Sequence, residues 1–75
     1  MKLVVKARHD GDGLMRVCST LRRRGFAIEE LRFARTAAPG ISRITVEVCV
    51  DDERSHLVKP ALLKVVDVLD VEEEE

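Results

Sequence analysis

The chain has 75 residues and a formal net charge of −1, and its only aromatic side chains are Phe26 and Phe33. A domain of this length buries only about 60% of the surface its unfolded chain exposes, so the core must be aliphatic, and pairing with a second copy would bury area that a monomer leaves in water. No apolar run approaches the roughly 20 residues a membrane span needs, and the opening MKLVVKARHD has too short an apolar run for a signal peptide, which predicts a cytoplasmic protein with no membrane attachment.

Charge is unevenly spread along the chain. Residues 1–49 carry ten cations against five anions, and residues 50–75 carry three against nine. Such asymmetry suits a nucleic-acid face or a protein-docking face, with an ordinary solvated surface as the plain alternative. The cysteines, Cys18 and Cys49, lack metal-ligand or redox spacing and read as small buried hydrophobes of a reducing compartment.

Leu3, Val5 and Ala7 alternate with Val4, Lys6 and Arg8, the pattern of a strand with one apolar face. The turn residues His9-Asp10-Gly11-Asp12-Gly13 follow, with Asp12 placed to cap a helix through its side chain. Leu14, Val17, Cys18 and Leu21 recur at i, i+3, i+4 and i+7, which predicts a helix over residues 13 to 24. Arg22, Arg23 and Arg24 sit where cations favour the negative end of the helix dipole, and Gly25 suits the left-handed position that ends a helix.

Residues 26 to 35 read as a second strand. Phe26 and Ile28 share one parity while Leu31 and Phe33 share the other, so a bulge near Glu29 and Glu30 is expected to reconcile them. After the turn residues 36 to 40, Ile44, Val46, Val48 and Val50 alternate with Arg43, Thr45, Glu47 and Cys49 in a third strand that forms a hairpin with the second. Asp51 and Asp52 are placed to cap a second helix with Leu57, Ala61, Leu62 and Val65 as its apolar positions; Pro60 either kinks it or marks where its regular part starts. A last strand over residues 67 to 72 carries Val68, Leu69 and Val71, and the acidic residues 72 to 75 are expected to fray into solvent. The order βαββαβ predicts a single α+β domain over residues 1–75, the ferredoxin-like split βαβ arrangement with two helices on one face of a four-stranded antiparallel sheet.

Fold alone does not decide function. A soft-metal carrier needs converging thiolates, and the loop after the first strand has none. RNA-recognition domains stack bases on aromatic residues of the central strands, and the first and third strands contain none. His9 beside Asp10 and Asp12 has the makings of an acid–base group, but lone loop histidines near aspartates are commonly inert. Neither a catalytic residue nor a metal site nor a cofactor is expected. What remains is binding through edges and loops. The edge of the second strand invites pairing with another copy across a two-fold axis, and the helix start beside the turn from His9 to Gly13 offers N–H groups to a carboxylate such as that of an amino acid.

Several segments resemble the ACT-domain family, and within it the small regulatory subunits of acetolactate (acetohydroxyacid) synthase. They are Leu14-Met15-Arg16-Val17, Arg24-Gly25-Phe26, Ile28-Glu29-Glu30-Leu31, Pro39 followed by Ser42-Arg43-Ile44-Thr45, and Lys64-Val65-Val66-Asp67-Val68-Leu69. The resemblance implies a homodimer with a joined sheet. It further implies that a branched-chain amino acid, usually valine, sits between the first loop of one copy (His9, Asp10, Gly11, Asp12, Gly13 and Leu14) and the second strand of the other (Ala27 and Ile28). It also implies a partner, the thiamine-diphosphate-dependent catalytic subunit, which the chain activates while having no activity of its own.

Two positions depart from the valine-sensitive pattern. Where those members have an asparagine and then a glycine in the first loop, this chain has His9 or Asp10, depending on the gap, and then Asp12. The asparagine that precedes the isoleucine of the second strand is replaced by Ala27. Together these imply weak or absent valine feedback. A stand-alone ACT sensor that binds a small amino acid at a dimer interface is the alternative reading.

Overall fold

The computed structural model describes residues 1–8 and 12–74. Over these the chain forms β1 (Lys2–Arg8), α1 (Gly13–Arg23), β2 (Ala27–Arg35), β3 (Ile41–Cys49), α2 (Val58–Leu63) and β4 (Val68–Glu74), with a 3-10 turn over Ser55–Leu57 leading into α2. The strands lie in the order β2-β3-β1-β4, each antiparallel to its neighbours. This is the expected ferredoxin-like arrangement.

Cross-strand register explains where the core sits. Leu3 faces Val46, and Val5 faces both Ile44 and Val71, so the apolar halves of three strands fall on one side of the sheet. They join Val17 and Leu21 of α1 and Val58 and Leu62 of α2 in one buried cluster, which puts both helices on that face. Fully burying a side chain of this size stabilises the fold by about 1.5–3 kcal/mol. Branched aliphatics thus do the work expected of them in a core poor in aromatics.

Both ends of α1 are fixed by backbone geometry. At its C-terminal end the Phe26 N–H donates to the Leu21 carbonyl at 2.9 Å and the Gly25 N–H to that of Arg22 at 3.0 Å. This pair of bonds is a Schellman motif, with Gly25 at φ +80° in the left-handed position and Phe26 packed with Leu21 in the core. At the N-terminal end, a Cβ added at Gly13 would lie 3.0 Å from that of Ala7, so only glycine lets the helix start this close to β1. Asp12 does occupy the N-cap position, but its backbone carbonyl makes the bond, accepting from Arg16 N–H at 2.9 Å. With ψ at 28° it is outside the extended conformation from which a cap side chain folds back, and no side-chain cap bond forms.

The buried line of α1 is Gly13, Val17, Thr20 and Leu21, with Leu14 and Cys18 only half-buried. The helix is rolled so that Thr20 faces the seam with α2, whose Ala61 lies across it. Cys49 is exposed, correcting its reading as a buried hydrophobe: strict alternation along β3 turns it away from the face that buries Val46 and Val48.

β2 contains the expected bulge. Ile28 faces Val48, the register shifts between Ile28 and Glu30, and Leu31 and Phe33 then face Val46 and Ile44. The extra residue brings both parities to the helix side. Because β2 is an edge strand, Leu31 and Phe33 stay 38% and 47% exposed.

Before α2, the Asp51 carboxylate accepts the Arg54 N–H at 2.9 Å and its carbonyl accepts the Ser55 N–H at 3.0 Å. Asp51 therefore organises the turn ahead of the 3-10 segment and does not cap the helix. Pro60 is the third residue of α2, where a missing N–H removes no intrahelical bond. Of the two expected outcomes, the helix starts beside it. Val58, Ala61 and Leu62 are buried, Val65 is half-buried and Leu57 is exposed.

β4 also differs from expectation at its end. Residues 72–74 do not fray; they pair with Val4, Leu3 and Lys2 of β1. Lys2 Nζ lies 3.8 Å from Glu74, so the adjacent cationic strand offsets the repulsion that made this acidic run look like a tail. Glu75 lies outside the described residues.

Candidate functional site

Of the residues expected to bind a ligand, His9, Asp10 and Gly11 lie outside the described residues. Asp12 is exposed at the start of α1, Gly13 is buried beneath it, and Leu14 is half-buried against the core. Ala27 is exposed and Ile28 half-buried at the start of β2.

One chain does not bring these two groups together. The first loop leaves β1 at Arg8, which pairs with Ile41, whereas Ala27 pairs with Cys49 at the other end of β3. At about 3.3 Å per residue, on the order of 25 Å of strand separates them.

β2 supplies a second surface. It is paired with β3 on one side and forms the edge of the sheet on the other. Its exposed Leu31 and Phe33 lie among charged neighbours, including Arg32, whose Nε is 2.7 Å from Glu30. The turn to β3 is drawn tight by Thr36, whose hydroxyl donates to the Ile41 carbonyl at 2.9 Å, and by Gly40 at φ +76°.

A third surface takes in Arg23 and Arg24 of the cationic run that ends α1. The outward sides of α1 and α2 enclose a groove of about 550 Å³, lined from α1 by Met15, Arg16, Arg23 and Arg24 and from the end of α2 by Lys64 and Val66. A helical projection carries part of the signal, since Arg16 and Arg23 lie two turns apart on one stripe with Ser19 between them. The facing side needs the tertiary fold. Asp67, at the entry to β4, holds Arg16 at 3.7 Å, and its carbonyl accepts the Arg8 N–H at 2.9 Å.

Among the described residues no cluster of His, Cys, Asp and Glu has the makings of a metal site. No helix is long and apolar enough to cross a membrane. The candidate surfaces of the described residues are thus the β2 edge and the groove between α1 and α2.

Residues 13–70 match the family model described as AHAS small subunit-like ACT domain. The chain is 35% identical over 71 residues to the acetolactate synthase isozyme 3 small subunit of Escherichia coli, covering 95% of this chain and 44% of that protein. It is likewise 35% identical over 69 residues to the acetolactate synthase small subunit of Aquifex aeolicus, covering 92% and 36%. The chain thus spans less than half the length of these curated relatives.

Among solved structures, the acetolactate synthase small subunit from Thermotoga maritima superposes with a TM-score of 0.86 at 24% identity, over 96% of this chain and 45% of that one. The ACT domain from the GTP pyrophosphokinase of Chlorobium tepidum gives 0.78 at 15% identity, over 97% and 94%. At these identities the two structures speak to the fold alone. The sequence matches carry further, and by them the chain belongs to the acetohydroxyacid synthase small subunit-like ACT domain family.

Proposed function

We propose that the chain is a regulatory, non-catalytic subunit that binds the catalytic subunit of acetolactate synthase and raises its activity in branched-chain amino acid synthesis, with weak or absent valine feedback. The observation that carries this is the 35% identity to the Escherichia coli small subunit across nearly the whole chain. The working form is a cytoplasmic homodimer joined through β2.

The exposed Leu31 and Phe33 on an edge strand support pairing with a second copy. Two-fold pairing of β2 with its mate would run antiparallel, setting the Ala27 end of one copy beside the Arg35 end of the other. Arg35 pairs with Ser42, which pairs with Ala7 just before the first loop. A dimer of this kind would close the distance that one chain leaves between Ala27 and the loop. An exposed Asp12 at the helix start opposes a ligand carboxylate, and Ala27 offers it no side-chain partner, which supports weak valine binding.

The test mixes the purified chain with the catalytic subunit and follows acetolactate formation. A higher rate and a complex on gel filtration are expected; neither a complex nor a change in rate would refute the reading.

A further inference from the structure

The groove between α1 and α2 combines two properties that a merely solvated surface does not need together. Among its described lining residues, Arg16, Arg23, Arg24 and Lys64 are cationic and Asp12 alone is acidic. Arg16 is held by Asp67, whereas Arg23, Arg24 and Lys64 have no ion-pair partner among the described residues. Beside Arg16, Met15 is 69% exposed on α1, and Val66, next to the Asp67 that holds Arg16, is 78% exposed beyond α2.

Cations alone would serve a small anion. Two large exposed apolar side chains beside Arg16 fit a polypeptide that brings an apolar side chain along with its carboxylates, because burying Met15 and Val66 adds the hydrophobic term that exposed ion pairs lack. A nucleic acid is a poorer match, since none of the described lining residues is aromatic and able to stack on a base. The acidic residues 72–74 of the same chain are engaged in β4.

We infer that this groove is the docking surface for the catalytic subunit, and that it takes from that partner an acidic segment carrying at least one apolar side chain. The inference rests on the function proposed above. The groove is built from α1, α2 and the turns at their ends, with no residue of β2, so an occupied groove and a β2-paired dimer are compatible.

The experiment measures the affinity of the purified catalytic subunit for the wild-type chain and three variants, each first checked for a native circular dichroism melt. Arg23→Glu with Lys64→Glu should bind roughly tenfold more weakly and with a shallower salt dependence. Met15→Ser, which leaves the charge alone, should bind roughly threefold more weakly at every salt concentration. Arg43→Glu with Lys59→Glu makes the same charge change at exposed positions outside the groove and should bind as wild type does.

Wild-type affinity in both groove variants would overturn the groove and leave the proposed function standing. Equal weakening in the Arg43 and Lys59 variant would overturn it too, since attraction would then be general. Loss of self-association by the groove variants on sedimentation, with binding to the catalytic subunit intact, would assign the groove to a second copy instead. No binding by the wild-type chain would sink both readings.

Discussion

The guanidinium of Arg54 lies 4.7 Å from the centroid of the Phe26 ring, and its Nη2 donates to the carbonyl of Arg24. One side chain from the connection between β3 and α2 thus seals the C-terminal end of α1. It supplies a cation at the negative end of the helix dipole and a flat surface over the residue that closes the Schellman motif. Arg54→Ala should lower stability by about 1 kcal/mol in urea titration, and Arg54→Lys by somewhat less, because a lysine keeps the charge without the planar stack. Equal midpoints for all three proteins would count against this contact.

The close approach of α1 to β1 gives a paired test. Gly13→Ala places a methyl 3.0 Å from the Ala7 Cβ and should cost on the order of 1–3 kcal/mol through overpacking. Adding Ala7→Gly makes room again, so the double variant should lose less than the sum of the single losses. Strict additivity would place the strain elsewhere.

For the edge strand, Leu31→Glu with Phe33→Glu should leave the fold intact, since both side chains are already partly solvated. A dimer built on them should weaken at least tenfold, about 1.4 kcal/mol. Sedimentation equilibrium reads this directly. An unchanged dimer would move the interface away from β2.

Valine sensitivity is tested by restoring the two departed positions. Asp12→Gly removes a carboxylate that makes no side-chain cap bond, so it should cost the helix little. Combined with Ala27→Asn, it should raise valine affinity in calorimetry. A flat titration of the double variant would remove support for the role given to these residues.

Much of the fold was legible because local chemistry and global packing agree. The shift in parity between Ile28 and Leu31 announced the bulge, and Gly25 after three arginines announced the helix end. Misreadings arose where a neighbour distant in sequence decides the outcome. Residues 72–74 look like a frayed tail until β1 provides their ladder and Lys2 their counter-charge. Asp12 has the right identity and position for a cap, but its ψ angle keeps the side chain away from the first turn. Val58 is buried because α2 begins two residues before Pro60, a start that the proline hides in the sequence. As for the candidate site, the loop and the start of β2 were nameable from the chain, whereas the groove needed two helices set side by side.

The rate of acetolactate formation by the purified catalytic subunit, followed as this chain is titrated in with and without valine, tests the proposed role most directly. A saturable rise that survives added valine is expected. A rate that stays flat at every ratio, or a rise that valine abolishes, would contradict it.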